Sequence, residues 1–337
     1  MRSMVLKAPI SGLPQADDFM LVEAGIPALD DQQFLVEHRV ASVDPGVRSR
    51  LHATGASYAP PIPPGGTIDG FMVGQVVESR NDRFPQGTWV TGGGGWTTHS
   101  ISNGRGFIMP IADNGLPRSL WLGVLGIPGM TSWFGLKRVG AMREGAHVLI
   151  TSAAGVVGAT AGQLARAWGA ASVTGIAGGR DKCDWLVEAC GFDSAIDYKA
   201  VDDLDAAIAA ACPKGVDILF DNVGNAMIDR VLPMMRLNGN IVVSGQVADY
   251  NVPLGERAGI INTGEFIAKR LTMRGILVFD DIAQFAGAQA QMGAMIGDGK
   301  LVYREEMFDG LEAMPEAFCG LFTGASFGRR LVRLGEF

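Results

Sequence analysis

H-V-L-I-T-S-A-A-G-V-V-G, from His147 to Gly158, is the stretch that decides the fold. His147 to Thr151 is a short apolar run bounded by Gly145 and by small residues, which predicts a buried strand. The chain then reads Thr151-Ser152-Ala153-Ala154-Gly155-Val156-Val157-Gly158. Measured against G-x-G-x-x-G, Ala153 stands in the first glycine position, while Gly155 and Gly158 match. Val157, Ala161, Leu164, Ala165 and Trp168 then recur at helical spacing, and Gly169 ends the helix. Strand, glycine turn and helix together are the context in which such a motif binds a dinucleotide; elsewhere it would be a plain turn. A small first residue allows the tight turn. Gly155 lets backbone N–H groups approach a pyrophosphate, and Gly158 lets the helix pack on its strand. The pyrophosphate would sit on the helix N-terminus, close to Val156 and Val157, where unpaired N–H groups and the helix dipole favour negative charge.

Outward from this unit the pattern repeats. Strands are predicted at Ser172–Ile176, Ser194–Asp197, Val216–Phe220, Asn240–Ser244 and Leu271–Val278. Helices are predicted at Asp181–Cys190, Leu204–Ala211, Ala226–Leu237 and from Ile282 to about Ile296. Six strands alternating with helices predict an α/β fold, a doubly wound parallel sheet of the dinucleotide-binding (Rossmann) type. The first 120 or so residues differ. Short apolar runs such as Val73–Glu78 and Thr88–Thr91, the glycine run Gly92–Gly95 and the Pro-rich loop Ala59–Gly66 predict an irregular, mostly β domain. Val302–Phe337 reads again as strand, helix, strand and is expected to rejoin it. The expected division is a catalytic domain of residues 1–123 and 300–337, and a cofactor domain of residues 124–299.

Composition narrows the function classes. The chain has 337 residues, 47% apolar, with 28 basic and 35 acidic side chains and a formal charge of −7. That balance argues against a nucleic-acid partner, which leans on clustered Lys and Arg. No apolar run is long enough for a membrane span. Cys183, Cys190, Cys212 and Cys319 form no C-x-x-C pair and no disulfide framework. A cytoplasmic protein with reduced thiols is the expectation.

A-G-G-R-D-K, Ala177 to Lys182, lies about 20 residues beyond the glycine turn, where the fold meets the adenosine ribose. An NAD-preferring protein places Asp or Glu there to accept from the ribose 2′-hydroxyl. Here small residues lead to Arg180 and Lys182. Two cations suit a 2′-phosphate, so the cofactor reads as NADPH. A solvated helix start would use the same residues, with Asp181 favourable in its first turn.

At this point the chain resembles a known family, almost end to end. S-V-D-P-G-V-R-S-R-L from Ser42, L-G-V-L-G-I-P-G-M-T-S-W-F-G-L from Leu122, S-A-A-G-V-V-G from Ser152, G-I-A-G-G-R-D-K from Gly175, I-D-Y-K from Ile196, D-N-V-G from Asp221 and L-T-M-R-G from Leu271 carry the likeness. Each is similar to a segment of the zinc-free medium-chain dehydrogenases/reductases that include prostaglandin reductase, leukotriene B4 dehydrogenase, curcumin reductase and plant alkenal double-bond reductases. The resemblance implies NADPH-dependent reduction of the C=C bond of α,β-unsaturated ketones or aldehydes by a homodimer. It implies that Lys182 and Tyr198 contact the 2′-phosphate, with Arg180 as a possible helper by position alone. It implies that Asn222 and Gly224 form the nicotinamide-side loop, and that Tyr250 positions substrate or delivers a proton. Thr131, Gly178, Gly245, Val278 and Ser326 complete the expected cofactor contacts. Two positions depart from the pattern. Gly46 stands where the D-P block usually has an aromatic that lines the substrate pocket. Ser326, in Gly324-Ala325-Ser326-Phe327-Gly328-Arg329, replaces an asparagine that helps hold the cofactor.

No metal is expected. The histidines, His38, His52, His99 and His147, form no spaced ligand set with a cysteine. Hydride addition to the β-carbon of an enone moves charge to an oxygen that preorganised donors can hold, with no metal required. Tyr58, Trp96, Trp133, Tyr250 and Phe279 are candidate apolar walls. A zinc-free quinone reductase sharing the cofactor site, an enoyl-thioester reductase and a non-catalytic NADPH-binding protein remain as alternatives. Substrate panels with product analysis separate them.

Overall fold

The computed structural model describes residues 1–52, 57 and 59–336. The chain divides into two compact units: Met1–Leu122 with Glu305–Ser326 and Arg330–Phe337, and Gly123–Arg304 with Phe327–Arg329.

In the first unit, short apolar runs pair antiparallel. The strands are β1 (Arg2–Leu6), β2 (Phe19–Glu23), β3 (Phe34–Ser42), β4 (Phe71–Ser79), β5 (Trp89–Gly93), β6 (His99–Ser102) and β7 (Ile108–Pro110). β1 pairs with β2 along its length, Ser3 and Val5 also bridge to Thr97 and Thr67, and β3 carries both β4 and β6. The core gathers around Trp96, which is fully buried with its ring centroid 5.4 Å from both Phe19 and Phe318. Trp96, expected as a pocket wall, is therefore a core residue: an indole this large is most stable where its whole face is removed from water.

The second unit runs α1 (Ile127–Phe134), β8 (His147–Ile150), α2 (Val156–Ala167), β9 (Ser172–Ala177), α3 (Arg180–Glu188), β10 (Ser194–Asp197), α4 (Leu204–Ala211), β11 (Val216–Asp221), α5 (Asn225–Val231), β12 (Met235–Val243), α6 (Gly264–Lys269), β13 (Thr272–Gly275) and α7 (Phe285–Gly297). Its six strands are parallel in the order β10-β9-β8-β11-β12-β13, the doubly wound arrangement expected. β8 is central, and the strand order reverses between it and β11. Ligands of such sheets bind outside the carboxyl ends of the strands at that switch point.

Two predicted helices are corrected. The helix expected over Ala226–Leu237 stops at Val231, passes through a 3₁₀ turn at Leu232–Met234 and gives way to β12 from Met235. Pro233 lacks the N–H a continuing helix needs, which ends it there. The helix expected from Ile282 starts at Phe285, because Val278–Gln284 winds as 3₁₀. The sixth strand is shorter than expected, four residues.

After α7 the chain forms β14 (Glu305–Asp309), α8 (Met314–Cys319) and β15 (Arg329–Arg333). β14 and β15 extend the sheet of the first unit in the order β14-β15-β3-β4-β5-β7. Among the described residues, no helix is long and apolar enough to cross a membrane.

Candidate cofactor and active site

The glycine turn is held from below by main-chain bonds. Thr151 N–H donates to Phe220 O at 3.1 Å and Ala153 N–H to Ile176 O at 2.9 Å, so the turn is tied to strands on both sides. Ser152 takes the left-handed conformation (φ 47°), and Gly155 N–H closes the turn on Ser152 O at 3.1 Å. Gly155 is the N-cap of α2 and offers no side chain to its first N–H groups. A Cβ built there would touch only Ser152, at an ordinary 3.4 Å, so the space before the helix is open. At Gly158 a Cβ would lie 2.7 Å from Ala153 Cα, so glycine alone lets α2 pack on the turn. The near edge is closed by Gly328, which bridges to Gly155 and donates N–H to Ala154 O at 2.9 Å. Val156 and Val157 are half-buried, and Val157 O accepts from Ser132 Oγ at 2.7 Å. On α1, the Thr131 hydroxyl donates back to Ile127 O at 2.8 Å.

β9 ends at Ala177, and no acid stands at its tip. Gly179 (φ 110°) caps α3 in a conformation that favours glycine. Asp197 holds the neighbouring corner: its Oδ1 accepts from Gly179 N–H at 2.8 Å and from Lys199 N–H at 3.0 Å. This carboxylate is engaged with main chain at the end of β10. A Cβ on Gly178 would lie 2.7 Å from Tyr198 Cε1 and 2.9 Å from Lys199 Cε. The ring and the lysine stem therefore lie over Gly178, which brings Gly178 and Tyr198 together. Lys182 sits half-buried in the first turn of α3. Arg180 extends into solvent, its side chain 89% exposed and 3.4 Å from Asp184.

The third cluster lies at the tips of β8, β11 and β12. Asp221, fully buried, accepts from Thr151 Oγ1 at 2.6 Å, from Gly224 N–H at 2.8 Å and from Val223 N–H at 3.3 Å. Asn222 donates N–H to Thr151 Oγ1 (2.9 Å) and its side-chain amide to Thr151 O (2.8 Å). Gly224 (φ 130°) packs on Asp249, whose Oδ2 lies 2.3 Å from where a Cβ would stand. Gly245 N–H points to Asp221 O at 3.3 Å, and a Cβ on Gly245 would lie 3.2 Å from Asn222 O. Tyr250 follows Asp249, its N–H donating to Gln246 O at 3.1 Å. Burial pushes its phenol above the usual tyrosine range.

Comparison with known proteins fits this geometry. Residues 2–109 match the family described as "N-terminal domain of oxidoreductase", and residues 156–292 the one described as "Zinc-binding dehydrogenase". The chain is 36% identical to the NADPH-dependent curcumin reductase of Escherichia coli (strain K12), over 99% of this chain and 96% of that one. It is 36% identical to the NADP(+)-dependent 2-alkenal reductase of Nicotiana tabacum, over 99% and 98%. The crystal structure of CurA from Vibrio vulnificus in complex with NADPH superposes with a TM-score of 0.93 at 33% identity, covering both chains fully. The chain belongs to the medium-chain dehydrogenases/reductases, in the family of the curcumin, 2-alkenal and prostaglandin reductases.

The second family description mentions zinc. Among the described residues no three His, Cys, Asp or Glu side chains come together as a ligand set. Burial pushes the thiols of Cys183 and Cys319 up to about 11 and that of Cys190 to about 12, which leaves them unreactive. His38 is buried and pushed down to about 3, with Nε2 2.8 Å from Ser100 Oγ.

Val278 is buried at the start of its 3₁₀ turn, and Phe279 beside it is half-buried. Trp133 is core, packed edge-on against Trp168 at 4.8 Å beneath the Lys137 ammonium. Ser326 is half-buried at the end of a segment of the first unit. Gly46 lies in the 3₁₀ turn Pro45–Arg50 of that unit, its carbonyl accepting from Ser49 Oγ at 2.8 Å. Tyr58 lies outside the described residues. Sequence reading missed three members of the clusters: Lys199, Asp221 and Asp249. The first two stand inside quoted motifs, I-D-Y-K and D-N-V-G. Asp249 is marked only by preceding Tyr250.

Proposed function

We propose that this protein reduces the C=C bond of α,β-unsaturated ketones and aldehydes with NADPH, without a metal. The observation that carries the reading is the ribose corner: the Tyr198 ring and the Lys199 stem lie over Gly178, Lys182 stands in the first turn of α3, and Asp197, the carboxylate at this corner, is engaged by the Gly179 and Lys199 N–H groups. The names of the curcumin and alkenal reductases point the same way.

The residues fit the cofactor. The open N-terminus of α2, from Gly155 to Gly158, would hold the pyrophosphate through N–H groups and the helix dipole. Lys182 and the Tyr198 hydroxyl would hold the 2′-phosphate, with Arg180 in reserve. Asn222, Gly224 and Gly245 would border the nicotinamide; Thr131, Val278 and Ser326 complete the contacts. When bound, NADPH supplies a hydride to the substrate β-carbon. The electron pair of the C=C bond moves to the carbonyl oxygen, where hydrogen-bond donors stabilise the enolate. The α-carbon then takes a proton, for which Tyr250 is the candidate donor. A phenol is protonated at neutral pH, the form a general acid needs, and burial raises its pKa further.

The finer reading places the enzyme in the cytoplasm as a homodimer. β13 is the edge of the parallel sheet, all four of its residues are exposed, and Ile261, Ile267, Met273 and Leu277 leave aliphatic surface around it. A bare sheet edge of this kind favours pairing with a second copy.

Incubation with NADPH and a medium-chain alkenone, with products identified by mass spectrometry, tests the reaction. The saturated ketone is expected. An allylic alcohol, or turnover of p-quinones but of no enone, overturns the reading.

A further inference from the structure

We propose that Asp221 is the positioning residue of the active site: its carboxylate holds the Asn222–Asn225 turn and, through that turn, fixes Tyr250. The proposal rests on the functional reading above for the role of Tyr250, but not for the clamp itself.

Three strand tips meet at this side chain. From the tip of β8, Thr151 gives its only hydroxyl proton to Asp221 Oδ1 at 2.6 Å, and Thr151 Oγ1 itself accepts Asn222 N–H at 2.9 Å. On β11's own continuation, Oδ2 accepts the N–H groups of Gly224 and Val223. From the tip of β12, Ser244 N–H reaches Asp221 O at 2.8 Å. The turn is then stitched to the next loop. Val247 N–H donates to Asn222 O (3.2 Å), Ala248 N–H to Val223 O (3.0 Å), and Asn225 N–H to Asp249 Oδ2 (3.2 Å). Tyr250 follows directly, anchored to Gln246.

Every partner of the Asp221 side chain donates to it, and the fully buried Thr151 hydroxyl is the one partner that can also accept from a protonated Oδ1. Burial pushes the Asp221 carboxyl up to about 6, against the three hydrogen bonds that lower it. The charged group facing it is Asp249, on the loop after β12, which raises it further; from β8 it meets the neutral Thr151. Proton uptake at Asp221 therefore falls just below neutral pH, and by linkage it favours the closed, buried turn over an opened, hydrated one.

The test uses the full-length protein, Thr151→Val, Thr151→Ser and Asp221→Asn. The first readout is hydrogen exchange of peptides spanning 222–225 and 246–250 as a function of pH, which needs no turnover. Protection should rise as pH falls through about 6 in the wild type. Thr151→Val should move that midpoint up by about half to one pH unit, because a bond to the charged form is lost, and Thr151→Ser should restore it. The second readout is the acid limb of kcat with an alkenone at saturating NADPH, which should shift in parallel. Asp221→Asn should lower kcat at least tenfold, with NADPH affinity, followed by fluorescence, changed less than threefold. An unshifted exchange midpoint in Thr151→Val overturns the proposal, even if Asp221→Asn fails to fold. A shifted midpoint with no enone reduction by the wild type keeps the clamp and sinks the functional reading. A shifted midpoint with an unshifted kcat limb sinks the link to Tyr250.

Discussion

A single ammonium decides between two cofactors that differ by one phosphate. Lys182 is half-buried at the start of α3, beside a corner where the Tyr198 ring and the Lys199 stem cover Gly178. A hydrogen bond to a charged group contributes about 1.5–3 kcal/mol, so Lys182→Ala should raise the Michaelis constant for NADPH by about ten- to a hundredfold. That for NADH should change less than about twofold, since NADH has nothing at the phosphate position. Equal changes in steady-state assays with both cofactors would place Lys182 elsewhere. Lys199 is exposed and screened by solvent, so Lys199→Gln should cost only about two- to fivefold, again for NADPH alone. The cationic corner was legible because a missing acid after the second strand has a chemical meaning. Lys199 was not, because its place depends on Asp197 folding the end of β10 onto Gly179, a bond between residues 18 apart. The same holds for Asp221: the motif announces a loop, and only the packed strand tips show which side chain holds it.

At the scale of elements, the βαβ start of the sheet could be read almost residue for residue, since strand, turn and helix each carry their own period. What escaped is where one element's shape depends on another's side chain. Gly162, inside α2, looks like a weak point in a helix, yet a Cβ there would lie 2.0 Å from the ring of Phe192. Phe192 is buried between α3 and β10, and its ring occupies the notch that Gly162 leaves. Gly162→Ala should therefore destabilise the protein by about 1–3 kcal/mol through overpacking, read as a lowered Tm. Adding Phe192→Leu should recover part of the loss. A Tm unchanged by Gly162→Ala would mean that the ring has somewhere else to go. The early end of α5 has a similar lesson. Apolar spacing continues past Val231, but Pro233 removes a donor, and Met235 is already paired in register with Val216 of β11.

For the whole molecule, the bare β13 edge makes a prediction about mass. Sedimentation equilibrium should give twice the 35.5 kDa of the chain, and Met273→Lys combined with Leu277→Lys should give the monomer by setting like charges across the edge. A monomeric wild type sinks the dimer. Stability should also respond to Asp221. Its folded pKa lies above that of an ordinary aspartate, so the native state holds a proton that the unfolded chain has already lost. Its contribution is present in full below about pH 4 and is lost as pH rises through about 6. The site is thus expected to be most resistant to unfolding where Asp221 carries its proton. The order of the two units along the chain was partly legible, since strand-helix-strand texture returns near the C-terminus. That Phe327–Arg329 alone joins the second unit was not, because three residues carry no periodicity. This short excursion has a consequence for biosynthesis. Gly155 and Gly328 form one bridge, so the turn that would receive the pyrophosphate is made early and closed late. A nascent chain can fold the sheet of the second unit before Gly328 is made, yet that turn stays unclosed until Gly328 arrives. Cofactor capture would then report that Gly328 is in place.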